Sequence, residues 1–531
     1  MRPQNSSAVR TSFLVTFLIG STLVLFLWRF ARFFIYPIGH DQLSYLFEAQ
    51  RFLSGIKPYG PHLAEVSPPL IIWFSVLPVL LGRWLHASPV FFFRLLITAI
   101  VFGSIAWCVR ILLRSAALPS FVAVGLLGCA ILWVEFMVGP MDFGQREHLL
   151  IILILPYLLA TATGAVDRLS FAERCALGIA AGAAIWFKPQ NTLVLIALEL
   201  ALFIRARSLR RAFTPEFLAL VLTSSLLLTI VSVTTPYLKA TLPLLVDTYW
   251  AFGTMNTVAL ALTLRNYMLL VALMLLAILL LRNRLRDPAT PSTLLICSVA
   301  ASLAYDIQHT DWPYHAYPFR ALFALALAYL IVDLLYPAIG KFTYGSLLFR
   351  RTALVASALM VVLLCVIVTH PRILYPDPKR LQGTELDRFL TQYQPSTTVY
   401  AFSTSEGALS SVYNHRLNWG SRFAHLWMLP AIIQNELGPT GPPAPFKRLS
   451  PERLATLASL QRTESAEDLN YWRPSVVLVQ QCTVENPCQG LHGKNFNMIS
   501  WFQQGPEFAE AWSHYQKQAG FDGYDVYRLN P

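Results

Sequence analysis

Apolar runs of about twenty residues, separated by short polar loops, fill the chain up to about residue 370. Each is long enough to cross a bilayer as a helix. The first runs from Thr11 to about Phe34 and ends in aromatics and arginine, so it reads as a retained span rather than a cleaved signal. Further runs follow at Phe91–Leu113, Ser120–Val138, Leu149–Val166, on either side of Trp186–Asn191, at Glu216–Pro236, and onward to Thr352–Thr369. One run is ambiguous. Pro69 to His86 is interrupted by Pro78, Gly82 and Arg83, and reads either as a span or as a kinked helix at the membrane interface.

Charge sorts the loops. With Pro69–His86 left outside the count, Arg110, Arg114, Arg168, Arg174, Arg205, Arg210, Arg211, Arg282, Arg284 and Arg286 all fall on one side. Loops rich in His, Asp and Trp fall on the other, which is the positive-inside pattern and gives about eleven spans. The net charge of +12 is therefore topological, and no basic stripe with interleaved aromatics suggests nucleic acid. With 55% hydrophobic and 13% charged residues, the chain is a polytopic α-helical membrane protein, expected in a bacterial-type inner membrane.

From His370 the composition turns polar. Residues 1–370 are expected to form a transmembrane domain with an external first loop at 35–90, and 371–531 a small extracytoplasmic (periplasmic) α/β domain. Thr397–Phe402, Ser475–Gln480 and Tyr524–Leu529 read as strands, Leu386–Tyr393 and Pro506–Ala519 as helices. Of seven cysteines, five lie in or beside apolar runs, while Cys482 and Cys488 stand close together in the polar tail. That pair suggests a disulfide in an oxidising compartment, with two free thiols as the alternative.

No phosphate-binding glycine loop, zinc spacing or Ser-His-Asp motif stands out. Polar residues instead gather on the outer side. In the stretch beginning Gly39-His40-Asp41, Asp41, Tyr45, Glu48 and Arg51 lie along one helical segment, followed by Lys57 and Glu65. Asp142, Arg146 and Glu147 come from the second loop, Lys188 from the third, and His309, Tyr314, His315 and Arg320 from a later one. Such groups at a bilayer edge must be buried in protein or line a wet cavity. A carboxylate there suits a general base toward a hydroxyl, and neighbouring cations suit a phosphate leaving group. Structural roles compete at each position: Asp41 as a helix N-cap, Asp142 paired with Arg146, Glu147 at a helix N-terminus, His309 and His315 packed among aromatics, Lys188 and Arg320 snorkelling.

Three motifs carry a resemblance: D-x-x-x-Y at Asp41–Tyr45, S-G-x-x-P-Y at Ser54–Tyr59, and P-P-L-x-x-W at Pro68–Trp73. Together they resemble the GT-C superfamily of polyprenyl-phosphate-sugar-dependent glycosyltransferases, in the branch of aminoarabinose transferases and protein O-mannosyltransferases. The resemblance implies an inverting transfer of one sugar from a polyprenyl phosphate to a hydroxyl of an envelope glycan, lipid or protein, with no nucleotide. It makes Asp41 the leading catalytic carboxylate and Asp142 its partner, which orients the acceptor or holds a divalent cation. Gln42, Ser44 and Ser67 depart from the family pattern, so Arg51, Lys57, His309, His315 and Arg320 are the candidate phosphate contacts. A polymerase or ligase using a lipid-linked oligosaccharide is the nearest alternative. A secondary transporter is the alternative of another class, with Glu199 and Asp333 as its mid-span charges.

Overall fold

The computed structural model describes residues 27–339 and 384–530, apart from short stretches at 29, 32, 118–119, 137, 254–256, 311, 439–445, 492 and 522. The start of the first expected span, the last expected span and the expected domain boundary at 370 lie outside the described residues.

The helices of the N-terminal region are α1 His40–Leu53, α2 Pro69–Trp84, α3 Pro89–Arg114, α4 Phe121–Glu135, α5 Arg146–Ala162, α6 Phe171–Ala184, α7 Thr192–Ala206, α8 Pro215–Thr234, α9 Leu242–Thr248, α10 Thr257–Leu281, α11 Ala289–Asp306 and α12 Tyr317–Ile339. Among the described residues, four are long and apolar enough to cross a membrane: Pro89–Arg114, Pro189–Ala206, Pro215–Thr234 and Tyr317–Pro337. Helix α2 is shorter, about 24 Å for its 16 residues, and carries Pro78 inside it. That length falls short of the roughly 30 Å hydrocarbon core, as do the 15 residues of α4 and the 14 of α6.

Close packing of α6 on α8 depends on two glycines one helical turn apart. A Cβ on Gly178 would sit 2.1 Å from the Glu216 carbonyl oxygen, and one on Gly182 would sit 2.6 Å from that of Leu220. Small residues at this spacing let two helix backbones touch where no water drives association. The mid-span acids are locally satisfied. Glu199 pairs with Arg211 at 2.9 Å and accepts from the Tyr157 hydroxyl, while Asp333 accepts the backbone N–H groups of Arg286 and Asp287.

The C-terminal region builds a five-stranded sheet in the order β2-β1-β3-β5-β4. Its strands are β1 Thr398–Phe402, β2 Asn418–Trp419, β3 Val476–Gln480, β4 Tyr515–Phe521 and β5 Tyr524–Leu529. β1 runs parallel to β2 and β3, and β5 runs antiparallel to β3 and β4. The helices are α13 Glu385–Leu390, α14 Gly407–Asn414, α15 Leu429–Leu437, α16 Pro451–Trp472, α17 Met498–Phe502 and α18 Pro506–Trp512. The stretch expected to be helical to Ala519 stops at Trp512, and its remainder becomes the edge strand β4. Exposed Gln516, Lys517 and Gln518 give that strand a solvated edge, and β5 supplies its ladder. Cys482 and Cys488 form a disulfide with their Cα atoms 5.0 Å apart.

One buried cation organises the C-terminal region. Arg422 meets Asp468 at 2.9 Å, Glu467 at 2.7 Å and Glu464 at 3.3 Å. The same region docks on the external loops of the N-terminal one. Ala64 donates its N–H to the Arg422 carbonyl, Gln50 reaches the Tyr413 hydroxyl at 3.0 Å, and Asp247 binds both Lys447 and Arg453.

Candidate active site

Helix α1 begins one residue before Asp41, so Asp41 lies in its first turn, where the helix dipole favours a negative charge. It is not the N-cap. That position is Gly39, which makes no side-chain cap. Glycine is needed there because a Cβ would sit 2.5 Å from the Met141 carbonyl oxygen, the acceptor of the Gly39 N–H at 3.1 Å. Gln42 bonds the same carbonyl at 2.8 Å. The first and second external loops are thus pinned together at Asp41.

Around that carboxylate, His40 Nε2 stands 3.1 Å from one oxygen and Gln145 Nε2 donates to the other at 2.5 Å. Burial pushes the Asp41 pKa up, but the His40 charge, then Arg146 and the Gln145 bond, outweigh it and hold the carboxyl below the ordinary range. Burial lowers the pKa of His40 while Asp41 raises it, and Asp41 wins, to about 10. Asp142 behaves oppositely. Burial, and then the charges of Asp41 and Glu147, push it up to about 7. Two neighbouring carboxyls with pKa values driven apart are the signature of divided acid and base roles.

Asp41 faces a cavity of about 130 Å³. Ser44, Tyr45, Glu65, Ser67 and Arg146 line one side. Tyr249, Phe252, Trp312 and Tyr314 form an aromatic wall. Glu406, His425 and Gln489 close it from the C-terminal region. Arg146 donates to Ser67 Oγ at 2.9 Å, its guanidinium stands 5.7 Å from the Tyr45 ring centre, and no carboxylate pairs with it among the described residues. Its expected partnership with Asp142 is not made. Glu65, also in the lining, accepts the Ser67 N–H at 2.6 Å.

Of the residues expected from sequence, Asp41, Tyr45, Glu65, Arg146 and Tyr314 converge on this cavity. Asp142 stands beside it without lining it. Others lie elsewhere. Lys188 is buried against Glu147 at 2.8 Å, and His315 lies 3.3 Å from Lys188 with Thr310 on its other nitrogen. That network forms a layer outside the cavity lining because Glu147, in the first turn of α5, claims the cation. Burial first, then the Lys188 charge, keep His315 neutral, well below the ordinary histidine range. Arg51 is bound to the carbonyls of His62, Ser421 and Trp419, and does not line the cavity. Lys57 and Arg320 are exposed, and His309 sits in a left-handed turn (φ 52°) away from the cavity.

Glu406, His425, Tyr249, Phe252 and Trp312 join the site without being expected there from sequence. Trp312 is adjacent to Tyr314, and Tyr249 and Trp250 mark their loop as aromatic, so some of this wall had a signal. Glu406 had none. Yet Glu406 Oε1 lies 3.3 Å from His425 Nδ1, while Glu406 Oε2 has no hydrogen-bond partner. Among the described residues, His40, Asp41 and Glu406 bring one ligand atom each within 4.8 Å of one another. This nitrogen-and-oxygen donor set suits a divalent cation of the zinc or manganese type once His40 gives up its proton.

The fold matches that of a solved structure over nearly the whole length of both chains. The chain is similar to ArnT from Cupriavidus metallidurans in its apo crystal structure, over 97% of this chain and 98% of that one, with a TM-score of 0.53 and 13% identity. It also aligns with the arabinofuranosyltransferase AftD from Mycobacteria, over 97% of this chain and 40% of that one, with a TM-score of 0.44 and 12% identity. No protein-family model and no curated protein matches the chain by sequence.

Proposed function

We propose that this chain is an inverting membrane glycosyltransferase that moves one sugar from a polyprenyl-phosphate donor to a hydroxyl of an envelope glycan, lipid or protein outside the cytoplasm. The observation that carries this reading is the cavity itself. An ionised carboxylate (Asp41), an unpaired guanidinium (Arg146) and an aromatic wall share it. The acceptor hydroxyl oxygen attacks the anomeric carbon as the bond from that carbon to the phosphate oxygen breaks. Asp41 accepts the hydroxyl proton, and the polyprenyl phosphate leaves with the bonding pair. A weak base suffices where carbon–oxygen cleavage runs ahead of attack, because an oxocarbenium-like carbon demands little from the nucleophile. Arg146 meets the charge that develops on the phosphate. Rings of Trp312 and Tyr314 offer faces to the sugar.

His40, Asp41 and Glu406 would hold a divalent cation, which would supply Lewis-acid stabilisation of the leaving phosphate. Glu199 pairs with Arg211 and Asp333 accepts two backbone N–H groups, so neither mid-span acid adds support to a transporter reading, which rests on span count.

The test is transfer of labelled sugar from a synthetic polyprenyl-phosphate donor by the purified chain, with Asp41→Asn alongside. Loss of the base costs about 10²–10⁴-fold in rate. Equal transfer by the variant would remove Asp41 from that role, and solute uptake into proteoliposomes without transfer would favour transport.

A further inference from the structure

A second concavity, about 990 Å³, opens beside α1 and shares no lining residue with the candidate active site. Its charged lining is Arg51, Arg83, His86 and Arg416, with no carboxylate among the described residues. None of the three arginines has a carboxylate within ion-pairing distance there. Arg83 donates only to the Gln50 carbonyl, at 3.2 Å.

Arg51 is the most telling. Its side chain is 6% exposed, its bonds go to neutral carbonyls, and its guanidinium is flanked by the Phe47 and Trp472 rings at 4.5 and 4.3 Å. A buried cation without a direct ion-pair partner is costly, and the charges of Asp468 and Glu48 only partly offset the burial of Arg51. An anion entering the groove would offset that cost. His86 and Arg416 each follow a helix C-cap in left-handed backbone (φ 52° and 58°), an ordinary helix stop that fixes both at the rim of the groove.

Position indicates the source of the anion. Arg83 and His86 flank Trp84 and Leu85, which are 77% and 50% exposed, an amphipathic cluster of the kind found at membrane interfaces. Pro89, also in the lining, opens α3, one of the helices long enough to cross the bilayer. The groove therefore lies at the level of lipid headgroups, roofed by the C-terminal region through Arg416.

We infer that this groove binds the phosphate of an anionic membrane-lipid headgroup between the α2–α3 turn and the C-terminal region. The inference needs the chain to sit in a membrane but not to transfer sugar. It is tested on the full chain in neutral detergent by thermal unfolding with added phosphatidylglycerol, phosphatidylcholine or inorganic phosphate. Phosphatidylglycerol is expected to raise the midpoint and phosphatidylcholine not to. That rise should fall at least threefold in Arg83→Gln/Arg416→Asn, asparagine being tolerant of the left-handed backbone, and should persist in Arg210→Gln, an exposed arginine outside the groove. Arg83→Gln alone, with a partial fall, guards against a folding defect in the pair. An equal rise with inorganic phosphate would overturn the lipid assignment in favour of a soluble phosphate. An undiminished rise in the variants would overturn the site.

Discussion

Replacing Lys188 with methionine separates a structural cation from a substrate contact. Lys188 is 5% exposed and Glu147 1%, and their charged atoms lie 2.8 Å apart. Neither Glu147 oxygen has a well-angled hydrogen bond, and the nearest other partner, His315 at 3.5 Å, is kept neutral by burial and by Lys188 itself. The ion pair thus carries most of the neutralisation of a carboxylate with no water to turn to. Removing one member of such a pair costs about 3–5 kcal/mol, whereas replacing both with apolar residues of similar volume is close to neutral. Lys188→Met should therefore lower the thermal midpoint by roughly 3–10 °C, since proteins of 150–250 residues shift about 2–4 °C per kcal/mol and larger chains less. Glu147→Leu/Lys188→Met should recover most of that loss at the same scan rate. Sugar transfer, measured in the same preparations, should recover with it. If the double variant regains stability but stays inactive, Lys188 contacts substrate and the structural assignment fails. If Lys188→Met alone unfolds like the parent, the pair does not carry the charge as argued.

Three further outcomes follow from the geometry. Burial, opposed by Arg422 and reinforced by Asp468 and Glu467, raises the Glu464 pKa to about 7. A raised acid stabilises the fold below its unfolded pKa and loses that contribution as pH climbs toward the folded value. Wild type should thus lose on the order of 1–2 kcal/mol between about pH 4.5 and 7, after discounting for partial exposure, and Glu464→Gln should flatten that slope in midpoint-versus-pH scans. Parallel curves would contradict it. Opening the Cys482–Cys488 bridge, which spans six positions, should cost about 2 kcal/mol, read as a lower midpoint for Cys482→Ser/Cys488→Ser without loss of fold. Chelation should suppress transfer and a divalent salt restore it, with Glu406→Gln needing at least tenfold more metal; activity indifferent to both would dismiss the cation.

What the sequence makes legible depends on contrast. In an apolar chain, Asp41, Tyr45, Glu65 and Arg146 stand out because a bilayer penalises each of them, and all four reach the cavity. Arg51 stands out equally but lines the other groove. At about 100° per residue, Tyr45 and Glu48 fall within about 40° of Asp41, whereas Arg51 is turned about 80° away, toward the other groove. Lys188 beside Trp186 and Phe187 reads the same whether it meets phosphate or a buried acid, because Glu147 lies far off in sequence and only packing shows it. Glu406 is invisible for the opposite reason. Among the many polar residues of the C-terminal region a single acid has no contrast, and only docking brings it to Asp41. The strand β4 is hidden by its hydrophilic composition, since an edge strand needs neither alternation nor apolar residues when its neighbour supplies the ladder.

The two concavities also explain why the C-terminal region is docked where it is. Helix α14, eight residues and about 12 Å long, lies against α1, and Tyr413 at its end is held by Gln50. Glu406 immediately precedes α14 and enters the cavity, while Arg416 just follows it and enters the groove. One short helix therefore sets the position of a side chain at each site, against a helix whose own faces carry Asp41 and Arg51. A rigid-body shift of α14 on α1 cannot move one of these residues without moving the other. Glu406 and Arg416 thus share one support, and the docking of α14 on α1 sets the spacing between the two concavities.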